Sequence, residues 1–127
     1  MPSKKEIKNK PRADKLGARF AAIKEAALGK NYELSFAFTT PAKMRKLNLI
    51  YRDKNKPTDI LSFPLSKNEG EIYISKTEAR KEAKKFGRSY ENFIDFLFIH
   101  GCVHLKGYDH GTKMERVESK LRKAFGV

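Results

Sequence analysis

Apolar positions along this chain recur in two periods, and the switches between them divide it into elements. Between Pro11 and Leu28, the residues Leu16, Phe20, Ile23 and Ala27 fall at helical spacing, and Gly29 ends the run. YELSFAFTT, residues 32–40, then alternates, with Leu34, Phe36 and Phe38 on one side, which predicts a strand with a single buried face. Thr40 followed by Pro41 is a helix start: a hydroxyl cap, then proline at the first helical position. The helix it opens carries Met44, Leu47 and Ile50 on one side and ends near Arg52. RDKNKPTD is a loop. DILSFPL, residues 59–65, is a strand, and Pro64 predicts a sheet edge because proline lacks the amide that an inner strand needs. EIYIS, residues 71–75, is another strand.

The second half is helical. Ser75 and Glu78 predict a capping box opening a short helix that stops at Gly87. Ser89 caps a long apolar helix running to about Lys106. Thr112 and Glu115 predict a second capping box, and Met114, Val117, Leu121 and Phe125 give the last helix its core stripe. The elements do not alternate as strand, helix, strand. The expected class is therefore α+β, a small mixed β-sheet flanked by helices. Residues 1–10 are expected to be a basic flexible tail and residues 11–127 a single domain.

Charge narrows the partners. Twenty-eight Lys and Arg against fifteen Asp and Glu give a net +13 on 127 residues, which suits a polyanion such as nucleic acid, a ribosome or an acidic membrane surface. Cys102 is the only cysteine, so no disulfide can form within the chain, as expected of a reducing cytosol. The polar, charged start MPSKKEIKNKPRADK has no apolar core of the signal-peptide kind. FIDFLFIHGCV is interrupted by Asp95 and His100 and is too short to span a bilayer. A cytoplasmic protein with no membrane partner is expected.

All three histidines lie in HGCVHLKGYDH, residues 100–110. His100 and His104 are one turn apart on one helix face, so both imidazoles can reach one ion. On a continuous helix His110 would lie about 15 Å along the axis and about 80° off that face. Gly107 is a natural helix end, where a left-handed turn brings His110 back to the open side of the ion. Three neutral imidazoles with one vacant position is a common way to hold catalytic zinc, and one zinc ion per chain on His100, His104 and His110 is expected. Nickel, copper or iron could use the same ligands. Cys102 lies about 200° round the helix from His100 and reads as a small core residue. The spacing resembles the H-E-x-x-H helix of metallopeptidases, a metalloprotease-like zinc site on a central helix. Gly101, however, stands where the peptidase carboxylate would be, which argues against proteolysis.

HGCVHLKGYDH closely resembles the H-G-x-x-H-L-x-G-Y-D-H motif of the YbeY family of zinc-dependent bacterial endoribonucleases. NLIYRDKNKPTDILSFPL, residues 48–65, resembles a second stretch of that family, N-x-x-Y-R-x-x-x-x-P-T-D-V-L-S-F-P, and GEIYIS falls between the two as expected. Ile60, Glu71, Cys102 and Val103 are mild departures, and none removes a ligand. The resemblance covers roughly residues 32–125. It implies single-strand-specific cleavage of ribosomal RNA in rRNA maturation and ribosome quality control, with the small ribosomal subunit as a partner. It also implies that Arg52 is a catalytic, phosphate-facing cation in the cleft. The fork of donors on arginine suits phosphate oxygens, although a helix-end arginine can also simply balance the helix dipole. Thr58 and Asp59 read first as fixing the turn into the strand, with a direct role for Asp59 second. Asp109 is either a carboxylate orienting a histidine or a turn cap. Lys43, Lys46, Lys54, Lys56, Arg80, Lys84 and Arg88 are candidate RNA-holding cations. The competing class is a non-catalytic ribosome-associated RNA-binding factor whose metal is structural.

Overall fold

The computed structural model describes residues 15–127, so the basic tail at 1–10 and the expected helix onset at Pro11 lie outside the described residues. Helix α1 spans Ala18–Leu28, shorter than the pattern predicts. Gly17 is its extended N-cap, and glycine is a poor helix former. Leu16 precedes the helix yet still packs on the core. After Gly29, at φ 94°, comes strand β1 (Glu33–Thr39), then helix α2 (Pro41–Arg52), with the Thr40 side chain accepting from the Lys43 amide at 3.3 Å.

Strand β2 (Ile60–Ser66) turns back through Lys67 and Asn68 into β3 (Glu69–Ser75), which is longer than its apolar run suggested. β3 is central, parallel to β1 and antiparallel to β2, so the sheet is mixed and β2 lies at its edge, as Pro64 required. Helices α3 (Lys76–Lys85), α4 (Tyr90–Leu105) and α5 (Thr112–Phe125) complete the chain. Among the described residues no helix is long and apolar enough to cross a membrane.

The alternation of the strands sorts side chains to two faces. Phe36, Ile72 and Ile74 join Ile23, Phe93, Leu97, Phe98 and Cys102 in the larger core, under α1, α3, α4 and α5. Ala37, Leu61, Phe63 and Tyr73 face the other way and meet Met44 and Leu47 of α2. β1 is thus covered on both faces at its middle, not on one: Phe36 and Ala37 are both buried, because α2 crosses the side expected to be wet. Phe20 stacks on Phe98 at a centroid distance of 4.0 Å, and Phe36 meets both edge-on at 5.2 and 5.5 Å. Such pairs add about 0.5–1.5 kcal/mol each beyond burial.

The two capping boxes come out differently from expectation. Ser75 accepts from the Glu78 amide at 3.2 Å, but its own N–H donates to the Asp59 carbonyl, so the Glu78 carboxylate turns to Lys81 instead. At α5 the N-cap is Gly111 with no side-chain cap, and Thr112 is the first helical residue. Ser89 caps α4 as expected, accepting from the Asn92 amide at 3.1 Å.

Candidate metal centre and the cleft around it

α4 carries the centre. Its inner face is Phe93, Leu97, Gly101 and their neighbours, and His100 and His104 lie at the margin of that face, half-buried. Gly101 lets the helix approach the sheet: a Cβ there would meet the Ile60 and Ile72 side-chain ends at 3.0 Å. Its place in the motif therefore has a packing cause. A carboxylate at this position would be driven among isoleucines. Cys102 is fully buried, and burial pushes its thiol pKa far up, so it is a core residue as read.

Past Leu105 the helix ends, and Gly107 turns the chain at φ 107°, a conformation that side-chain-bearing residues rarely adopt. The turn returns His110 toward the helix. Its ring centroid lies 5.7 Å from that of His100 and 6.5 Å from that of His104. Nitrogens bonded to one zinc ion at about 2.0–2.1 Å in tetrahedral geometry would bring ring centres to roughly 5 Å. The three rings are thus gathered but more open than a closed ligand set, and as placed no group of three His, Cys, Asp or Glu among the described residues forms a metal-holding cluster. The donor set nonetheless fits the ion in kind, and His110, on the turn after Gly107, is exposed.

Two partners that the pattern did not reveal fix the rings. The Nδ1 of His100 pairs with the Glu118 carboxylate of α5, and the Nδ1 of His104 lies 2.9 Å from the Ser62 hydroxyl of β2. Both contacts use Nδ1 and leave Nε2 open to a ligand, an arrangement typical of metal-bound histidines. Glu118 stands four residues after Met114, on the core stripe of α5, where an acidic residue was the signal to be read. Ser62 alternates with Leu61 and Phe63 and so falls on the α4 face of β2. Asp109, the carboxylate singled out from sequence, is exposed, and its negative charge only partly offsets what lowers the His104 pKa. That lowering comes first from burial, then from Arg52, His100 and His110. It favours the neutral imidazole that a metal requires.

Arg52 ends α2 beside this cluster. Its guanidinium donates to the Ser62 carbonyl at 3.5 Å and lies 5.7 Å from the centre of the Phe63 ring. Arg52 and His104 thus meet at the same residue of β2. A polar cavity of about 360 Å³ opens here, lined by Arg52, Lys54, Lys56, Thr58 and Asp59 with Glu78 and Glu82. The buried Asn48 amide donates to the Lys56 carbonyl at 2.9 Å and holds the loop in place. Of the candidate cations, Lys54 and Lys56 therefore share a wall with Arg52. Arg80 and Lys84 line a separate hollow with Tyr90, and Arg88 stacks 4.4 Å over Phe96. Thr58 and Asp59 form the turn into β2, with Oγ1 and Oδ1 3.5 Å apart. Burial, and then the charge of Glu82, raises the Asp59 carboxyl pKa.

The model of the family described as Endoribonuclease YbeY matches residues 3–124, which reaches into the N-terminal segment that the motifs left untouched. A curated relative from Aquifex aeolicus, named Endoribonuclease YbeY, is 42% identical over 122 residues, covering 91% of this chain and 80% of the relative. Another of that name, from Finegoldia magna, is 39% identical over 109 residues, covering 76% of this chain and 71% of its own length. The solution structure of TM1509 from Thermotoga maritima superposes with a TM-score of 0.62 at 26% identity, covering 85% of this chain and 77% of that one. With the motif residues gathered at one site and a family match over nearly the whole sequence, this chain belongs to the YbeY family.

Proposed function

We propose that this protein is a zinc-dependent endoribonuclease that cuts single-stranded RNA, with ribosomal RNA and the small ribosomal subunit as its cytoplasmic targets. The observation that carries the reading is the gathering of His100, His104 and His110 with two Nδ1 atoms engaged by Glu118 and Ser62. The names of the relatives and the net charge of +13 support an RNA substrate.

Zinc, when bound by the three imidazoles, supplies Lewis-acid polarisation at the scissile phosphate. The rest is done by the chain. Glu118 accepts the Nδ1 proton of His100 and so fixes the tautomer that presents Nε2. Ser62 does the same for His104 and ties its ring to the strand that also anchors Arg52. Arg52 offers its guanidinium to charge developing on the phosphate oxygens. Lys54 and Lys56 hold the flanking backbone through salt-dependent, sequence-blind attraction.

The test is purified protein of known metal content, assayed on single-stranded ribosomal RNA. Metal-loaded protein is expected to cleave, with His104→Ala inactive and Arg52→Ala slowed by about 10²–10³-fold. Full metal occupancy without any cleavage that His104→Ala abolishes would overturn the assignment.

A further inference from the structure

Beside His100 and His110 lies a second cavity of about 370 Å³, and its floor is aromatic. Phe93 and Phe96 of α4 stack with centroids 5.5 Å apart, and Phe86, in the turn after α3, stacks 5.3 Å from Phe93. Phe93 is 1% exposed, but Phe86 is 56% exposed. A large ring is held in register with its neighbours while much of it stays in water, at a cost in burial free energy. The guanidiniums of Arg88 and Arg122 lie 4.4 and 5.5 Å from the Phe96 ring centre. His100 and His110 form one wall, and Asp59 is shared with the polar cavity beside Arg52.

We propose that this cavity receives one unstacked nucleobase of the RNA strand, stacked on Phe86; the inference rests on the endoribonuclease reading. An exposed aromatic ring takes any base by its π face, and bases of single-stranded RNA are available to be splayed onto such rings. The lining carries Asp59, Glu115 and the buried Glu118 but no lysine or arginine, so it offers a phosphate no cation of its own. The carboxylates of Asp59 and Glu115 can accept from exocyclic amino groups of cytosine, adenine or guanine. The phosphate then belongs on the Arg52, Lys54 and Lys56 side, across Asp59, which lines both cavities. A base paired in a duplex cannot enter, which gives single-strand preference a structural cause.

The experiment titrates metal-loaded protein into a single-stranded RNA oligonucleotide carrying 2-aminopurine, whose fluorescence falls when it stacks. Wild type is expected to quench it. Phe86→Ala is expected to lose the quench and bind about tenfold more weakly, as loss of one base–aromatic stack implies. Phe86→Trp restores both, and unchanged zinc content and melting temperature in Phe86→Ala exclude damage to the centre or fold. Equal quenching and affinity in wild type and Phe86→Ala overturn the proposal, as does a wild type that never quenches. A wild type that quenches through Phe86 but never cleaves keeps the base pocket and overturns the nuclease reading. Cleavage with kcat/KM indifferent to Phe86→Ala does the reverse.

Discussion

Removing the charge of Glu118 tests how the ring of His100 is held. In Glu118→Gln the amide oxygen can still accept from Nδ1, but the carboxylate that raises ligand basicity is gone. Zinc affinity, measured by competition with a chromophoric chelator, is expected to fall about 10–100-fold while the fold persists. Gly101→Glu probes the other side of the same turn. Its side chain would enter between Ile60 and Ile72, and an unpartnered buried carboxylate costs about 3–5 kcal/mol, read as a large drop in denaturation midpoint. Asp59 supplies a pH signature. Its folded-state pKa is raised, so its stabilising contribution is complete below the unfolded carboxyl pKa of about 3.9 and is lost as pH rises through the folded value. Asp59→Asn should therefore stabilise the protein at pH 7, with the gain shrinking toward pH 4 in thermal melts. At this scale the gathering of the three histidines was legible, because a glycine turn at this spacing folds the third ring back toward the other two. Glu118 and Ser62 were not, since each reaches its histidine from a distant element and a single sequence does not say which elements touch.

Helix ends separate a working cap from a look-alike. Ser89→Ala removes the hydroxyl that accepts from the Asn92 amide and is expected to cost about 1 kcal/mol. Thr112→Ala, three residues before Glu115, should stay within about 0.5 kcal/mol, because Gly111 holds the cap position and the threonine caps nothing. Paired thermal melts decide both. The contrast shows what pattern can convey about elements. Strands and helices follow from the period of Leu34, Phe36 and Phe38 or of Met114, Val117 and Leu121, which is set by which faces must be buried. Boundaries depend on one or two backbone angles near Gly17 and Gly111, and these answer to packing that the local sequence does not carry. The second buried face of β1 was hidden for the same reason. Ala37 looks like a spacer until α2 is laid across it.

For the molecule as a whole, the two cores are complete without the histidines, which sit at the rim of the larger one. Chelation is therefore expected to abolish cleavage yet leave a cooperative melt, whereas a structural ion would leave the apo-protein unfolded. Circular dichroism on metal-free protein distinguishes them. The mixed sheet and its flanking helices were legible from the order of elements, and the central place of β3 was not, because pairing between β1 and β3 skips the intervening helix and strand. One feature of that arrangement bears on how the protein comes apart. α5 sinks only Met114 and Glu118 fully below the surface, and Glu118 is spent on His100. An ion gripped by α4 and the segment leading into α5 would act as a rivet on a lightly seated helix, so amide protons of α5 should exchange early in apo-protein and slow selectively when zinc is added.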